Sequence, residues 1–92
     1  MNQPLSRYLD HAVLKPDMTR TEAEEAINLG LSFNTRTVCI RPTDIELAKS
    51  MCRGTNTDVC VVLGFPHGYS LPSSKLTEAK AYAKREVDEV DM

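Results

Sequence analysis

The stretch DVCVVLG at residues 58–64 decides the fold of this chain, because five consecutive apolar residues stand in it before a glycine. A strand that alternates apolar and polar residues covers a core with one face only. A strand that is apolar at every position fits burial on both faces, which is typical of parallel sheets. The stretch therefore predicts a parallel sheet with residues 58–63 as an interior strand.

Three further strand-like segments flank this one, at residues 8–14, 33–40 and 87–92. Helix-like segments separate all four strands, and a serine at position 73 or 74 is placed to cap the third helix. The order is therefore β-α-β-α-β-α-β, and such strand–helix–strand units build parallel sheets. The fold class is α/β.

Two residue pairs have the spacing of a capping box, in which a hydroxyl and a carboxylate three residues later start a helix. These pairs are Thr19 with Glu22 and Thr43 with Glu46. Gly30 follows the first helical stripe and suits a left-handed cap at the end of that helix. The sequence thus predicts where the first two helices begin and where the first one ends.

Two architectures share this element order, an open doubly wound sheet and a closed (β/α)8 barrel. A complete doubly wound domain normally has a further strand and helix, and a barrel needs about twice this length or more. The last residues, up to Met92, have a strand pattern with nothing after it. We therefore expect residues 1–92 to form one unit of a larger α/β protein, truncated in the fourth strand.

The composition of the chain limits the kinds of molecule that we expect it to bind. The net charge of −2 gives no electrostatic reason for binding DNA, RNA or an anionic membrane. No run is long enough for a transmembrane helix, and residues 1–7 are polar, so we expect a cytoplasmic protein. The three cysteines lack CxxC spacing, and no nucleotide-binding glycine loop occurs. We expect neither a metal nor a cofactor.

Polar residues that interrupt the apolar strands are the candidates for chemistry. They are Asp10 and His11 in the first strand, Cys39 in the second, His67 just after the third and Asp91 in the fourth. Active sites of α/β folds gather at the carboxyl ends of parallel strands. The carboxylates could equally bind solvent at strand ends, and each histidine could be structural. The residues alone leave these alternatives open.

Four segments, taken in order, resemble one known family. Residues 8–16 (YLDHAVLKP), 38–42 (VCIRP), 59–68 (VCVVLGFPHG) and 88–92 (DEVDM) are similar to the first four strand motifs of deoxyribose-phosphate aldolases. The matches cover nearly the whole chain at the family's spacing. Each motif alone would be weak, but together they are specific.

This resemblance implies a (β/α)8 barrel and a class I aldolase. Such enzymes reversibly cleave 2-deoxyribose 5-phosphate to acetaldehyde and glyceraldehyde 3-phosphate through a Schiff base, without a metal. In the family a lysine of the sixth strand forms the imine, and a lysine of the seventh strand lowers its pKa. By motif, Asp91 matches the aspartate that works in proton transfer, and Asp10 and Cys39 match residues that line the substrate site.

The chain departs from the family in two ways. Both lysine-bearing strands fall outside the matched segments, and the lysines at positions 15, 49, 75, 80 and 84 match no catalytic position. Glu86-Val87 stand where the family usually has Gly-Ala, so the turn into the fourth strand is expected to differ. The resemblance therefore implies the N-terminal half of the aldolase, inactive by itself.

Two other functions compete with this one. The half-barrel could be a structural module that assembles with itself, and in either case we expect a homo-oligomer, with elements rearranged or swapped near residues 64–68 or the chain's end. An unrelated doubly wound domain with an acidic site at Asp10 and Asp91 is the other alternative. The four ordered motifs weigh against it.

Overall fold

A computed structural model describes residues 3–92 and contains four strands and three helices. The strands are β1 (Asp10–Val13), β2 (Thr37–Ile40), β3 (Asp58–Val62) and β4 (Glu89–Asp91). The helices are α1 (Arg20–Ser32), α2 (Ile45–Cys52) and α3 (Pro72–Lys84), with short 3-10 turns at Leu5–Tyr8 and Pro42–Asp44. The predicted element order is thus correct.

The four strands form one parallel sheet in the order β1-β2-β3-β4. Every strand therefore lies beside the strand that precedes it in the chain. In β3 and the residue after it, all positions from 59 to 63 are buried. This confirms the prediction that the apolar stretch is an interior strand.

All three helices pack on the same face of this sheet, and this settles the choice that the sequence left open. A doubly wound sheet has helices on both faces, whereas a barrel has them only outside. The core on the helical face combines side chains of alternate strand positions with apolar helix residues: Val13, Val38, Ile40, Val59, Val61 and Leu63 with Ala23, Ile27, Ile45, Leu47, Ala48, Cys52 and Tyr82. The fold is a four-strand segment of a (β/α)8 barrel.

Helix α1 begins as predicted but does not end as predicted. The Thr19 hydroxyl accepts a hydrogen bond from the Glu22 amide, and the Glu22 carboxylate accepts one from the Thr19 amide. These bonds lower the pKa of Glu22. Gly30, expected as the cap, lies inside the helix and is buried. A Cβ there would come within 2.8 Å of Val38 and 2.9 Å of His11, so the glycine is needed for close helix–sheet packing.

The predicted caps of the other two helices are wrong. Thr43 does not cap α2, because residues 42–44 form a 3-10 turn and the helix starts one residue later. The carboxylate of Asp44, at the actual cap position, is already bonded to Arg41 at 2.7 Å. Helix α3 starts at Pro72, whose fixed φ suits a first helical position, so the serines at 73 and 74 lie within its first turn.

Strand β1 is shorter than predicted, because residues 5–8 turn before the sheet begins. This turn is held by the Arg7 guanidinium, which donates to the carbonyl oxygens of Thr35 at 2.7 Å and Asn56 at 2.8 Å. One side chain thus ties together the loops that enter the first three strands. Strand β4 is likewise confined to three residues, all of them exposed.

The turn from α3 into β4 has a left-handed residue. Glu86 has φ +56°, at the position where the resembling family has glycine. A side chain in this region costs about 1–2 kcal/mol, because its Cβ approaches a carbonyl oxygen. Asn34 has a similar φ of +54°, but asparagine tolerates this region well. The departure at Glu86 therefore adds a backbone cost to this turn.

We expect Glu86→Gly to stabilise the chain by about 0.5–1 kcal/mol, since relief of the left-handed strain exceeds the added entropy of the unfolded glycine. The free energy of unfolding, measured by urea at a fixed chain concentration, checks this. Asn34→Gly is the matched control and should change stability by less. Destabilisation by Glu86→Gly would contradict the account of this turn.

Candidate active site

The register of the sheet puts Asp10, Cys39 and Asp91 on one face. Side chains along a strand alternate between faces, and Ala12, two residues after Asp10, pairs with Cys39. Cys39 in turn pairs with Cys60, and Val62, two residues later, pairs with Asp91. This face is opposite the helices, where the interior of a barrel would be, and we call it the concave face.

The two carboxylates lie at opposite ends of their strands. Asp91 is the last residue of β4, at the carboxyl end of the sheet, where barrel enzymes place their active sites. Asp10 is the first residue of β1, and its carboxylate accepts a hydrogen bond from the Thr37 hydroxyl at 2.8 Å. We expected Asp10 inside a longer strand, and the turn at residues 5–8 is the reason that it stands at the start.

Cys39 lies between these carboxylates on the concave face and is buried with Cys60, Val62 and Leu14. Burial raises the pKa of the Cys39 thiol; a hydrogen bond with Cys60 opposes this, and the charges of Asp91, Asp10 and Glu89 raise the pKa further. Burial also raises the pKa of Cys60. Both groups are therefore neutral thiols near pH 7, and neither is activated as a nucleophile.

Two cavities open at the carboxyl ends of the strands. One, of about 270 Å³, is lined by Asp91, Met92 and residues 63–68. The second, of about 360 Å³, has mainly apolar walls: Leu14, Pro16, Arg41, Pro42, Val62, Phe65, Pro66 and Glu78. Because Phe65 and Pro66 line both, the loop after β3 is the shared wall between a carboxylate-bearing cavity and an apolar one.

The loop at residues 64–68 is held by α3. The Glu78 carboxylate accepts a hydrogen bond from the Gly64 amide at 3.0 Å and contacts the Tyr82 hydroxyl at 2.7 Å. The buried Tyr82 hydroxyl also lies 2.9 Å from the Val62 carbonyl oxygen, and burial together with Glu78 raises the pKa of Tyr82. Sequence reasoning missed Glu78, because its helical position is indistinguishable from that of a solvated surface carboxylate.

Arg41 was also missed as a candidate for this region. Its guanidinium pairs with the buried Asp44 and donates to the Met18 carbonyl oxygen at 3.3 Å. It thereby connects the end of β2 with the loop between β1 and α1. The signal that could have found it is the pair Arg41-Pro42 directly after a buried strand.

The two histidines have different surroundings. His11 points to the helical face, and its Nε2 lies 3.0 Å from the Ala26 carbonyl oxygen, so it joins β1 to α1 as a structural residue. His67 is exposed and stacks on Tyr69 with ring centroids 5.1 Å apart. Within residues 3–92, no group of three His, Cys, Asp or Glu side chains could hold a metal ion.

The chain is similar in sequence to curated deoxyribose-phosphate aldolases. It is 37% identical over 87 residues to that of Staphylococcus saprophyticus, 38% over 90 residues to that of Clostridium perfringens and 40% over 88 residues to that of Thermoanaerobacter pseudethanolicus. These alignments cover 95%, 98% and 96% of this chain. The chain spans about 40% of the length of each relative. No protein-family model matches it.

Solved structures show the same relationship. A structure described as a putative deoxyribose-phosphate aldolase from Coccidioides immitis superposes with a TM-score of 0.88 at 28% identity, over 95% of this chain and 34% of that one. A structure described as "QR15, an Aldolase" superposes with a TM-score of 0.82 at 32% identity, over 92% of this chain and 38% of that one. The tetrameric deoxyribose-phosphate aldolase of Aeropyrum pernix superposes with a TM-score of 0.80 at 20% identity, over 92% of this chain and 36% of that one. At this identity the likeness supports the fold alone. The resemblance to this family is confirmed.

We expect Glu78→Ala to lower the free energy of unfolding by about 1–3 kcal/mol, because the Gly64 amide loses its acceptor. Amide hydrogen exchange at Gly64, followed by NMR, should become faster than in the original chain. Glu78→Gln is the matched control, since its amide oxygen can still accept that bond. Equal exchange in the alanine and glutamine variants would show that Glu78 does not hold this loop.

Proposed function

Because this chain is related to deoxyribose-phosphate aldolases over nearly its whole length, we propose that it supplies the first four strands of such an enzyme. The reaction would be reversible Schiff-base cleavage of 2-deoxyribose 5-phosphate to acetaldehyde and glyceraldehyde 3-phosphate. The observation that carries the proposal is the position of Asp91. Its carboxylate is on the concave face and lines a cavity at the carboxyl end of the sheet, where barrel enzymes place their active sites.

Asp91 would transfer protons during formation and breakdown of the imine. Its side chain is solvent-exposed, so a water molecule can reach it and relay a proton. It lies on a strand and not in a loop, with its carbonyl oxygen accepting from the Leu63 amide at 2.9 Å, and the backbone there is fixed by sheet pairing. A positioned acid–base group of this kind contributes about 10²–10⁴-fold to a rate.

By the resemblance, Asp10 and Cys39 would line the substrate site on the concave face without reacting, with Asp10 at the amino end of its strand, away from the two cavities. Asp10 is oriented by Thr37, and Cys39 is a neutral thiol at neutral pH. The apolar cavity between Leu14, Val62 and Phe65 suits the short carbon chain of an aldehyde, since it offers van der Waals contact and few polar groups. The substrate's carbon chain would thus lie across the loop after β3 from Asp91.

The imine itself would form outside this chain. Of its five lysines, only Lys15 directly follows a strand at the carboxyl end of the sheet, and it is exposed beside the first turn of α1, on the helical side. An imine lysine needs a neighbouring charge or burial that lowers its pKa. The four strands therefore supply the acid–base side of the proposed site, and the isolated chain would not turn over substrate.

Self-association is proposed as a property of this chain beside its function. Large apolar residues are exposed at both sides of the sheet: Leu5 and Phe33, 68% and 64% exposed, beside β1, and Leu76 and Val90, 56% and 45% exposed, beside β4. Both outer strands also have an unpaired edge within residues 3–92. Such edges and patches recruit other chains. The relatives favour an aldolase over a purely structural module.

The proposed role of Asp91 predicts a large loss of activity in Asp91→Asn. The chain can be joined to the part of the Clostridium perfringens relative that it does not match, and cleavage of 2-deoxyribose 5-phosphate by this chimera measured. We expect the substitution to lower kcat about 10²–10⁴-fold, because the amide cannot accept the proton. The 92-residue chain alone should show no turnover.

Glu24→Gln is the control for this experiment, because Glu24 is an exposed carboxylate on α1, on the other side of the sheet from Asp91. This substitution should leave kcat within about twofold of the chimera's value, because it changes a surface charge that is distant from the reacting atoms. Activity of Asp91→Asn within a factor of two of the chimera would remove Asp91 from the mechanism. A folded chimera without any activity would contradict the proposed function.

The exposed apolar residues predict that the isolated chain is a homo-oligomer at micromolar concentration, with some rearrangement near residues 64–68 or at its end. Light scattering should give a mass of at least twice 10.3 kDa. Leu5→Ser combined with Phe33→Ser should weaken the association if the patch beside β1 takes part. A monodisperse species of 10.3 kDa with a cooperative melt would contradict the prediction.

A further inference from the structure

A groove of about 610 Å³ lies between α2 and α3, on the helical side of the sheet. Its walls are side chains of both helices and of the residue after α3: Glu46, Lys49, Thr77, Lys80, Ala81, Lys84 and Arg85. None of these residues takes part in the candidate active site, which lies on the concave face. We call this feature the α2–α3 groove.

The α2–α3 groove is strongly basic in an acidic chain. Four of its side chains are cationic and one is a carboxylate, so it carries +3, whereas the whole chain carries −2. Charges of one sign that line a concave surface raise the local concentration of the opposite ion. The groove therefore attracts anions, against the net repulsion of the molecule.

Two of the four cationic side chains, Lys49 and Arg85, already make contacts across the groove. The Lys49 ammonium donates to the Arg85 carbonyl oxygen, and the Arg85 guanidinium pairs with Glu46 at 3.1 Å. These two contacts link α2 with the end of α3 across the groove. No salt bridge involves Lys80 or Lys84 among the described residues.

Lys80 and Lys84 are four residues apart on α3 and face the same groove. Like charges at this spacing destabilise a helix. The helix dipole favours a cation in the last turn, which accounts for Lys84, but Lys80 lies one turn earlier. An anion that spans both ammonium groups would remove their repulsion.

We propose that the α2–α3 groove binds a multivalent phosphate anion. The β-carbons of residues four apart on a helix are separated by about 5–6 Å, so two linked phosphate groups can each meet one ammonium group. Lysine ammonium groups bind phosphate as point charges, and Lys49 and Arg85 provide further positive charge across the groove. The proposal does not depend on the aldolase function.

Isothermal titration of the 92-residue chain with inorganic pyrophosphate at low ionic strength tests this. We expect saturable binding of one pyrophosphate per chain, and at least a tenfold loss of affinity in Lys80→Gln combined with Lys84→Gln. Arg20→Gln combined with Arg53→Gln removes the same charge outside the groove and should change affinity by less than twofold. Asp91→Asn should also bind normally, which separates this site from the active site.

Several results would overturn the proposal. These are the absence of saturable binding, unchanged affinity in the Lys80 and Lys84 variant, and an equal loss in the Arg20 and Arg53 variant, which would indicate attraction to net charge alone. Citrate at matched ionic strength separates the ligand classes. Weaker binding of citrate supports a phosphate site, and equal binding would refute the assignment to phosphate. Circular dichroism melts of each variant establish that it is folded.

Discussion

The alternation of side chains along the two interior strands is the constraint on which the rest of the structure depends. In β3, Val59 and Val61 pack against the helices, while Cys60 and Val62 face the other way. Because the strands are parallel and in fixed register, this parity extends to β1 and β4. A shift of one residue in any strand would exchange its core side chains with those of the concave face. The location of every candidate site residue follows from that register.

The sequence was sufficient for the features that depend on patterns of adjacent residues. The apolar run at 59–63 predicted an interior strand, and the Thr19–Glu22 spacing predicted a helix start, since both are local effects. Prediction failed where a contact outside the pattern decided the outcome, either with another element or with a neighbouring side chain. Gly30 serves packing against Val38, and the Asp44 carboxylate is bonded to Arg41. Glu78 could not be recognised either, because its partner Gly64 lies fourteen residues away in a loop.

The two faces of the sheet differ in charge as well as in packing. The concave face carries Asp10, Glu89 and Asp91, whereas the α2–α3 groove on the helical side gathers lysines. The carboxylates already influence the concave face, since they raise the pKa of the buried Cys39 thiol. A negative potential on this face opposes the approach of an anionic substrate.

The contact between His11 and α1 has a mechanical consequence for the residue before it. Asp10 and His11 are adjacent in β1 but point to opposite faces, and the His11 ring is held by the carbonyl oxygen of Ala26. Gly30 lies one turn further along α1, and its lack of a side chain allows the helix to approach the same ring closely. A displacement of α1 along its axis would pull on His11 and move the backbone that carries Asp10. The packing of α1 on β1 thus constrains the backbone that carries the Asp10 carboxylate on the other side of the sheet.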